Sequence, residues 1–147
     1  MSSLIFTSSY NAILQNGIAM SIYSDTVNGI LFLRPNQDVD LEVAKEIQER
    51  LTIATNDGVA YVIIDFSLAA LVSAATLRII IDTANQIQRR RGCVVVTGAS
   101  PQFRSLLVIS DVLKLVPAFA SISEAQAHLR VVMGNGDGFF NNDDDDI

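Results

Sequence analysis

The residues most able to do chemistry lie at positions 67–76, directly after the apolar run VAYVIIDF. The hydroxyls in this stretch belong to Ser67, Ser73 and Thr76. A hydroxyl at the start of a helix can cap backbone N–H groups, and a phosphate carried there is stabilised by the helix dipole. The stretch contains no glycine, so it does not predict a phosphate-cradling loop. It predicts a helix entrance that carries hydroxyls, at a point where chains often place a phosphate-binding or regulatory turn.

Groups for catalysis are sparse. The chain has one histidine and one cysteine, and it shows neither a Walker loop nor a GxGxxG motif. Cys93 lies in the apolar run GCVVVTG and is predicted to be a buried core thiol without a disulfide partner. His128 has no second metal ligand nearby and is predicted to be a surface or packing residue. We therefore expect no catalytic residue, no metal site and no cofactor.

Charge and hydropathy limit the classes of partner. The formal net charge is −6, but five of the 16 acids are Asp137 and the run 143–146, which leaves eleven acids against ten bases. A nearly neutral body without a basic stripe argues against nucleic-acid binding. Apolar runs fall short of the roughly 20 residues that a membrane helix needs, and the first residues lack the positive charge of a signal peptide. We expect a cytoplasmic protein with no direct membrane insertion.

Hydrophobic periodicity predicts an α/β fold, a small mixed sheet of four or five strands covered by about four helices. Two β-rich runs flank Asn28-Gly29, which predicts a tight hairpin. Residues 30–33 are apolar on both faces and belong inside the sheet. Two strand–helix–strand crossovers require part of the sheet to be parallel.

Helix boundaries carry recognisable signals. Asp38 or Asp40 is expected to cap the first helix, and Ser100-Pro101 to start the third. Ser121-x-x-Glu124 forms a capping box for the last helix. The run 89–91, three arginines, is predicted to offset the dipole in the last turn of the second helix rather than to bind phosphate or RNA.

The chain is predicted to divide into three parts. Residues 1–18 form an N-terminal extension that packs loosely or pairs with a partner, residues 19–132 form the domain, and residues 133–147 form a flexible acidic tail. The domain is expected to be large enough to bury its own core.

Three segments together resemble a STAS domain, the family of anti-sigma factor antagonists and of the cytoplasmic domains of sulfate transporters. They are VIIDFSLAALVSAATLRIII, RRRGCVVVTGASPQFRSLLVISDVLKLVPAF and SISEAQAHL. The resemblance spans residues 30–129 and rests on order and spacing. A strand ends in Asp65, a turn and a helix follow, and then an Arg/Gly turn, a strand, a Ser-Pro helix and a last short helix.

In that family the turn commonly reads Asp-Ser-Ser-Gly-Leu or Asp-Ser-Thr-Gly-Leu, and the serine after the aspartate is phosphorylated by a kinase that is also an anti-sigma factor. The matching residues here are Ser73, Ala74, Ala75, Thr76 and Leu77. Alanine has no oxygen to phosphorylate, so the usual control is predicted to be lost at Ala74. Ser73 and Thr76 remain as displaced acceptors or, alternatively, as the helix N-cap and an ordinary first-turn residue.

The resemblance implies a non-enzymatic bacterial regulatory module. Its partner would be an anti-sigma factor of the kinase-like type or another STAS protein, bound through a turn that includes Ser67, Ser73, Ala74, Ala75 and Thr76. The alternative is a scaffold subunit of a larger signalling or membrane-transport complex, and a homodimer is compatible with either role. An enzyme or small-ligand binder is a third hypothesis, which would require convergent polar groups around residues 97–104.

Overall fold

The computed structural model describes residues 21–137, in which strands and helices alternate. The elements are β1 (Ile22–Val27), β2 (Ile30–Pro35), α1 (Leu41–Asn56), β3 (Tyr61–Asp65), α2 (Ala74–Gln88), β4 (Cys93–Thr97), α3 (Pro101–Ile109), a 3₁₀ turn (Val112–Lys114), β5 (Ala118–Phe119) and α4 (Ile122–Asp137). The predicted residues 1–18 extension lies outside the described residues.

The sheet has five strands in the order β1-β2-β3-β4-β5, which is also their order in the chain. β1 pairs with β2 in antiparallel fashion, and every later pair is parallel. The hairpin turn that joins β1 and β2 places Asn28 at φ 54° and Gly29 at φ 81°, the conformation that a two-residue turn between twisted strands requires. The mixed α/β sheet and the hairpin predicted from the sequence are thus both confirmed.

Both faces of the sheet are covered. On one face α1, α2 and α3 bury the main core, which includes Leu33, Ile64, Val96 and Ile80. A strand sends successive side chains to opposite sides of the sheet. The alternate residues of the same strands therefore point to the other face, where Ala125 and Leu129 of α4 pack against them. Each central strand thus contributes to two cores. This arrangement explains why the runs that form β3 and β4 are continuously apolar.

Asp40 caps α1 by accepting a hydrogen bond from the Val43 backbone N–H at 2.9 Å. Of the two predicted caps, Asp40 is therefore the cap, and Asp38 has a different role.

α2 ends at Gln88, before the three arginines rather than among them. The Arg90 guanidinium donates to the Thr55 carbonyl oxygen near the end of α1. Arg90 therefore satisfies a carbonyl group near the carboxyl end of the neighbouring helix, and the run of arginines follows α2 rather than lying within its last turn as predicted.

Two further predictions are corrected. Cys93 is half-buried rather than fully buried, because β4 begins there and its side chain lies at the margin of the α4-side core. α4 continues to Asp137, beyond the boundary at residue 132 that the sequence indicated. His128 is half-buried on α4 with its ring centroid 5.1 Å from that of Phe119, which is the packing role expected for it.

Candidate functional site

The candidate site is the segment 67–76, which leaves the carboxyl end of β3 and leads into α2. In open parallel sheets the loops that follow the strands meet at this edge, and binding sites form there. The segment contacts the loop before α1 on one side and the start of α3 on the other. We call it the 67–76 turn.

A buried carboxylate fixes the start of the turn. Asp65 is 4% exposed, and its Oδ1 accepts hydrogen bonds from the Ser67 backbone N–H at 3.0 Å and from Thr97 Oγ1 at 3.1 Å. Its Oδ2 accepts from Ser67 Oγ at 3.0 Å. Both carboxylate oxygens are thus satisfied, as a charge buried in a protein interior requires. Asp65 ties the first residue of the turn to the ends of both β3 and β4.

Gly98 makes room for this anchor. Its φ is +67°, and a Cβ atom placed on it would lie 2.8 Å from Asp65 Oδ1 and 2.8 Å from the Ser67 backbone nitrogen. Contacts this short are not tolerated, and a side chain also disfavours this backbone conformation. Only glycine therefore allows the chain after β4 to pass so close to the start of the turn.

The middle of the turn is held by two side chains from outside it. Asp38 Oδ1 accepts hydrogen bonds from the backbone N–H groups of Ala70, at 2.8 Å, and Leu71, at 3.1 Å. On the opposite side Ser100 Oγ donates to the Ala70 carbonyl oxygen at 2.8 Å and accepts from the Phe103 backbone N–H at 3.2 Å. Ser100 is therefore both the cap of α3, as predicted, and a clamp on the turn.

The last part of the turn pairs with the chain before α1. Val39 donates its backbone N–H to the Leu71 carbonyl oxygen at 2.9 Å, and the Ser73 N–H donates to the Val39 carbonyl oxygen at 2.8 Å. Val39 and Val72 form an isolated parallel bridge. Because backbone and side-chain bonds fix it from both sides, the 67–76 turn is a braced element rather than a mobile loop.

At the helix entrance Ser73 occupies the N-cap position, as predicted, but its hydroxyl does not bond to a backbone N–H. Ser73 Oγ lies 3.0 Å from Thr76 Oγ1, and the two hydroxyls form a hydrogen bond. Ala74 is exposed and Ala75 half-buried, whereas Thr76 is completely buried. The entrance therefore exposes the Ala74 methyl group and encloses the Thr76 hydroxyl.

The turn exposes large apolar side chains. Leu68 is 53% exposed and Leu71 60%. Between the turn and α3 lies a groove of 330 Å³ whose lining residues are Asp38, Val39, Asp40, Ala70, Leu71, Val72, Ser73, Gln102, Phe103 and Leu106. The exposed Val108 and Ile109 at the end of α3 line a separate groove with Pro101 and Arg104. Exposed apolar side chains beside a groove are typical of a protein-interaction site. We call the turn together with the side of α3 that lines the first groove the turn–α3 surface.

The polar groups at the start of the turn are engaged with one another. The Ser67 hydroxyl donates to the buried Asp65 carboxylate, and this hydrogen bond fixes the start of the turn. Within residues 21–137 no three His, Cys, Asp or Glu side chains come together as a metal site would require. In the same described range no helix has the length and apolar character needed to cross a membrane.

The structure brings together the residues predicted from the sequence, with Ser67 at the start of the turn and Ser73, Ala74, Ala75 and Thr76 at its end. The sequence did not identify Asp38, Ser100 and Gly98 as supports of the turn. Ser100 and Asp38 were noticed only as helix caps. Their second role depends on contacts 30 to 33 residues away, which local spacing does not reveal.

Comparison with known proteins assigns this architecture. A family model described as the STAS domain matches residues 21–125. BtrV of Bordetella bronchiseptica, a candidate anti-sigma factor antagonist, is 24% identical over 114 residues, which cover 78% of this chain and 98% of BtrV.

Solved structures share the fold. The crystal structure of a candidate anti-sigma factor antagonist from Thermotoga maritima aligns with a TM-score of 0.70 at 18% identity, covering 74% of this chain and 94% of that one. The murine anion transporter Slc26a9 aligns with a TM-score of 0.59 at 12% identity, covering 81% of this chain but 20% of the transporter. The same fold thus makes up nearly all of the Thermotoga maritima protein and only a small part of the transporter.

Proposed function

The chain belongs to the STAS domain family, and from this premise we propose that it is a non-enzymatic regulatory protein that binds a protein partner through the turn–α3 surface. The observation that carries the proposal is a braced turn that exposes two large apolar side chains, Leu68 and Leu71, beside the groove between the turn and α3. A rigid apolar surface loses little conformational entropy when it is buried against a partner. Relatives named as anti-sigma factor antagonists support an anti-sigma factor as the partner.

The proposed module lacks the usual phosphorylation control. Ala74, at the first position of α2, stands where the family commonly has its phosphorylated serine, and it offers no acceptor oxygen. Thr76 is an unsuitable replacement because its side chain is completely buried. Ser73 is half-buried and its hydroxyl is paired with that of Thr76, so phosphorylation of Ser73 would have to break this hydrogen bond. Binding is therefore proposed to be constitutive, with Ser73 as the remaining candidate acceptor.

The experiment is a comparison of two surface substitutions in the full chain. Leu71→Asp places a charge in the turn–α3 surface, and Ile53→Asp does the same at a residue of similar exposure, 55% against 60%, at the far end of α1. We expect tagged wild-type and Ile53→Asp proteins to retain the same anti-sigma factor from cells of the source organism, and Leu71→Asp to lose it. Equal retention by all three proteins would refute the proposed surface.

Phosphorylation is tested separately by intact-mass spectrometry of protein isolated from the same cells. We expect no phosphate on the chain. A phosphate found on Ser73, combined with weaker binding by Ser73→Asp, would replace constitutive binding with a displaced switch. An unmodified chain whose binding tolerates Ser73→Asp would support the loss of control.

A scaffold role is the second candidate, and the presence of this fold as a small part of an anion transporter favours it. A scaffold or assembly subunit needs no phosphoserine, which suits Ala74. It predicts an oligomer of defined size, although a homodimer alone is compatible with either role. A monomeric mass measured by light scattering over a wide concentration range would count against the scaffold.

A further inference from the structure

A cavity of 430 Å³ lies on the α4 side of the sheet, at the hairpin end and away from the 67–76 turn. Its volume falls within the roughly 300–1,000 Å³ typical of small-molecule sites. Strands β1, β2 and β3 form its floor and α4 its wall. The lining residues are Tyr23, Asp25, Val27, Asn28, Ile30, Phe32, Ile63, Ile122, Gln126, Arg130 and Met133.

The unusual member of this lining is Asp25. It is 7% exposed, and its Oδ2 receives one long hydrogen bond, 3.4 Å from the Tyr23 hydroxyl. In the part of the chain that the structure describes, no donor reaches Oδ1. A buried carboxylate oxygen without a donor is costly, and interior polar groups normally have a partner. The cavity therefore presents a carboxylate that needs a hydrogen-bond donor, preferably a cationic one.

A positive group lines the same cavity. Arg130 is exposed on α4, and among the described residues no ion pair joins it to Asp25. A guanidinium group suits a carboxylate in particular, because its planar N–H donors match the two carboxylate oxygens. The two charges of the cavity thus remain available to a ligand that carries both a cation and an anion.

The rest of the lining is largely apolar. Phe32 lies directly opposite Asp25 in the β1–β2 register, and Ile63 lies beside Phe32 on β3. These side chains face the cavity together with Ile30, Ile122 and Met133. An aliphatic or aromatic group of a ligand would be buried against them, which is favourable in proportion to the apolar area removed from water.

We propose that this cavity binds a small zwitterion with an apolar substituent, of the class of the apolar α-amino acids. The ligand's ammonium group donates to Asp25 Oδ1, its carboxylate receives Arg130, and its side chain packs on Phe32 and Ile63. The proposal is independent of the partner surface, because the cavity and the 67–76 turn have no lining residue in common.

The test is calorimetric titration of the full chain with L-phenylalanine and L-leucine at millimolar concentrations. Phenethylamine, which lacks the carboxylate, and 3-phenylpropionate, which lacks the ammonium group, are the matched ligand controls. We expect at least one of the two amino acids to bind, and both controls to bind at least about tenfold more weakly, the loss that goes with removing one charge-assisted hydrogen bond. Absence of binding by both amino acids, or equal binding by the controls, would overturn the proposal.

Two variants connect the binding to the named charges. Asp25→Asn keeps the size of the side chain, and Arg130→Gln changes an exposed helix residue that the fold does not need. Each is expected to weaken amino-acid binding at least about tenfold, whereas Arg104→Gln, on α3 and outside the cavity, leaves it unchanged. Melting curves identify any variant that fails to fold, in which case the other variant decides. Wild-type affinity in a folded Asp25→Asn or Arg130→Gln protein would contradict the site.

Discussion

Asp38 Oδ1 lies 2.8 Å from the backbone nitrogen of Ala70 and accepts its hydrogen bond, although the two residues are 32 positions apart. The same oxygen accepts the Leu71 N–H. A single carboxylate before α1 thus holds the part of the 67–76 turn that carries the exposed Leu71 side chain. The turn depends on α1 and its approach as much as on the strand that precedes it.

Replacement of Asp38 should loosen the turn. Asp38→Ala removes two charge-assisted hydrogen bonds from an exposed carboxylate, and we expect a loss of about 1 kcal/mol in the free energy of unfolding, measured by urea denaturation. Asp82→Ala, an exposed aspartate on α2, is the control and should show no such loss. Because the turn is the proposed docking element, partner binding should fall in Asp38→Ala alone. Equal stability and binding in the two variants would mean that Asp38 does not support the turn.

A side chain at position 98 should collide with the anchor of the turn. Gly98→Ala places a Cβ atom 2.8 Å from Asp65 Oδ1 and imposes a backbone conformation that alanine disfavours. Gly58→Ala shares the positive φ, at +91°, but its Cβ meets nothing within 4 Å. We expect Gly58→Ala to cost about 1 kcal/mol and Gly98→Ala at least about twice as much, the excess reporting the collision. Similar losses in thermal or urea unfolding would argue against crowding at this point.

A negative charge at position 74 should separate stability from binding. Ala74→Glu puts a carboxylate at the amino end of α2, where the helix dipole stabilises it by about 0.3–1 kcal/mol. Ala74 is exposed, so the new side chain has room in the free protein. We expect an unchanged or higher melting temperature together with weaker partner binding.

Gln88→Glu places the same charge in the last turn of α2, where the dipole disfavours it, and makes a useful comparison. It should lower the melting temperature slightly and leave partner binding intact. If Ala74→Glu binds the partner as wild type does, position 74 lies outside the docking contact.

The thiol of Cys93 should make stability fall at alkaline pH. Burial raises the pKa of Cys93 above its ordinary value, so the folded protein retains a proton that the unfolded chain has already released. The stabilisation that this thiol contributes is fully present below the pKa that it has in the unfolded chain, and it is lost as the pH rises toward the pKa that it has in the folded protein. The measurement is the free energy of unfolding of wild type and of Cys93→Ala from pH 7 to 10. We expect wild type to lose more of this free energy than Cys93→Ala at the alkaline end. A constant difference across this range would contradict the assignment.

The sequence predicted most of the architecture because its signals are local. The β-rich runs on either side of the turn residues Asn28-Gly29 and the capping residue Ser100 each act over a few positions, and the corresponding elements formed as expected. The last helix was predicted to end by residue 132, where the acidic tail was expected to begin, yet α4 runs to Asp137.

The place of the 67–76 turn between a strand and a helix was predicted from the sequence, but the way the turn is built was not. Its residues fall at one strand-to-helix connection, which hydrophobic periodicity locates. Burial of Thr76 and the hydroxyl pair that it forms with Ser73 depend on how α2 packs on the sheet, and no spacing rule encodes that. The α4-side cavity also escaped prediction, because Asp25 reads as an ordinary polar residue of a half-exposed strand until the sheet places it beside Phe32.

The strand order has a consequence for how the chain is made. Since each strand pairs with the strand that follows it in the sequence, the sheet can grow in the direction of synthesis, each new strand joining an edge already formed. The β1–β2 hairpin gives a nucleus with contacts close in sequence, and such contacts favour fast folding. Until residues 118–119 leave the ribosome, the outer edge of β4 has no neighbour, so nascent chains stalled just short of that point should be the ones most dependent on chaperones.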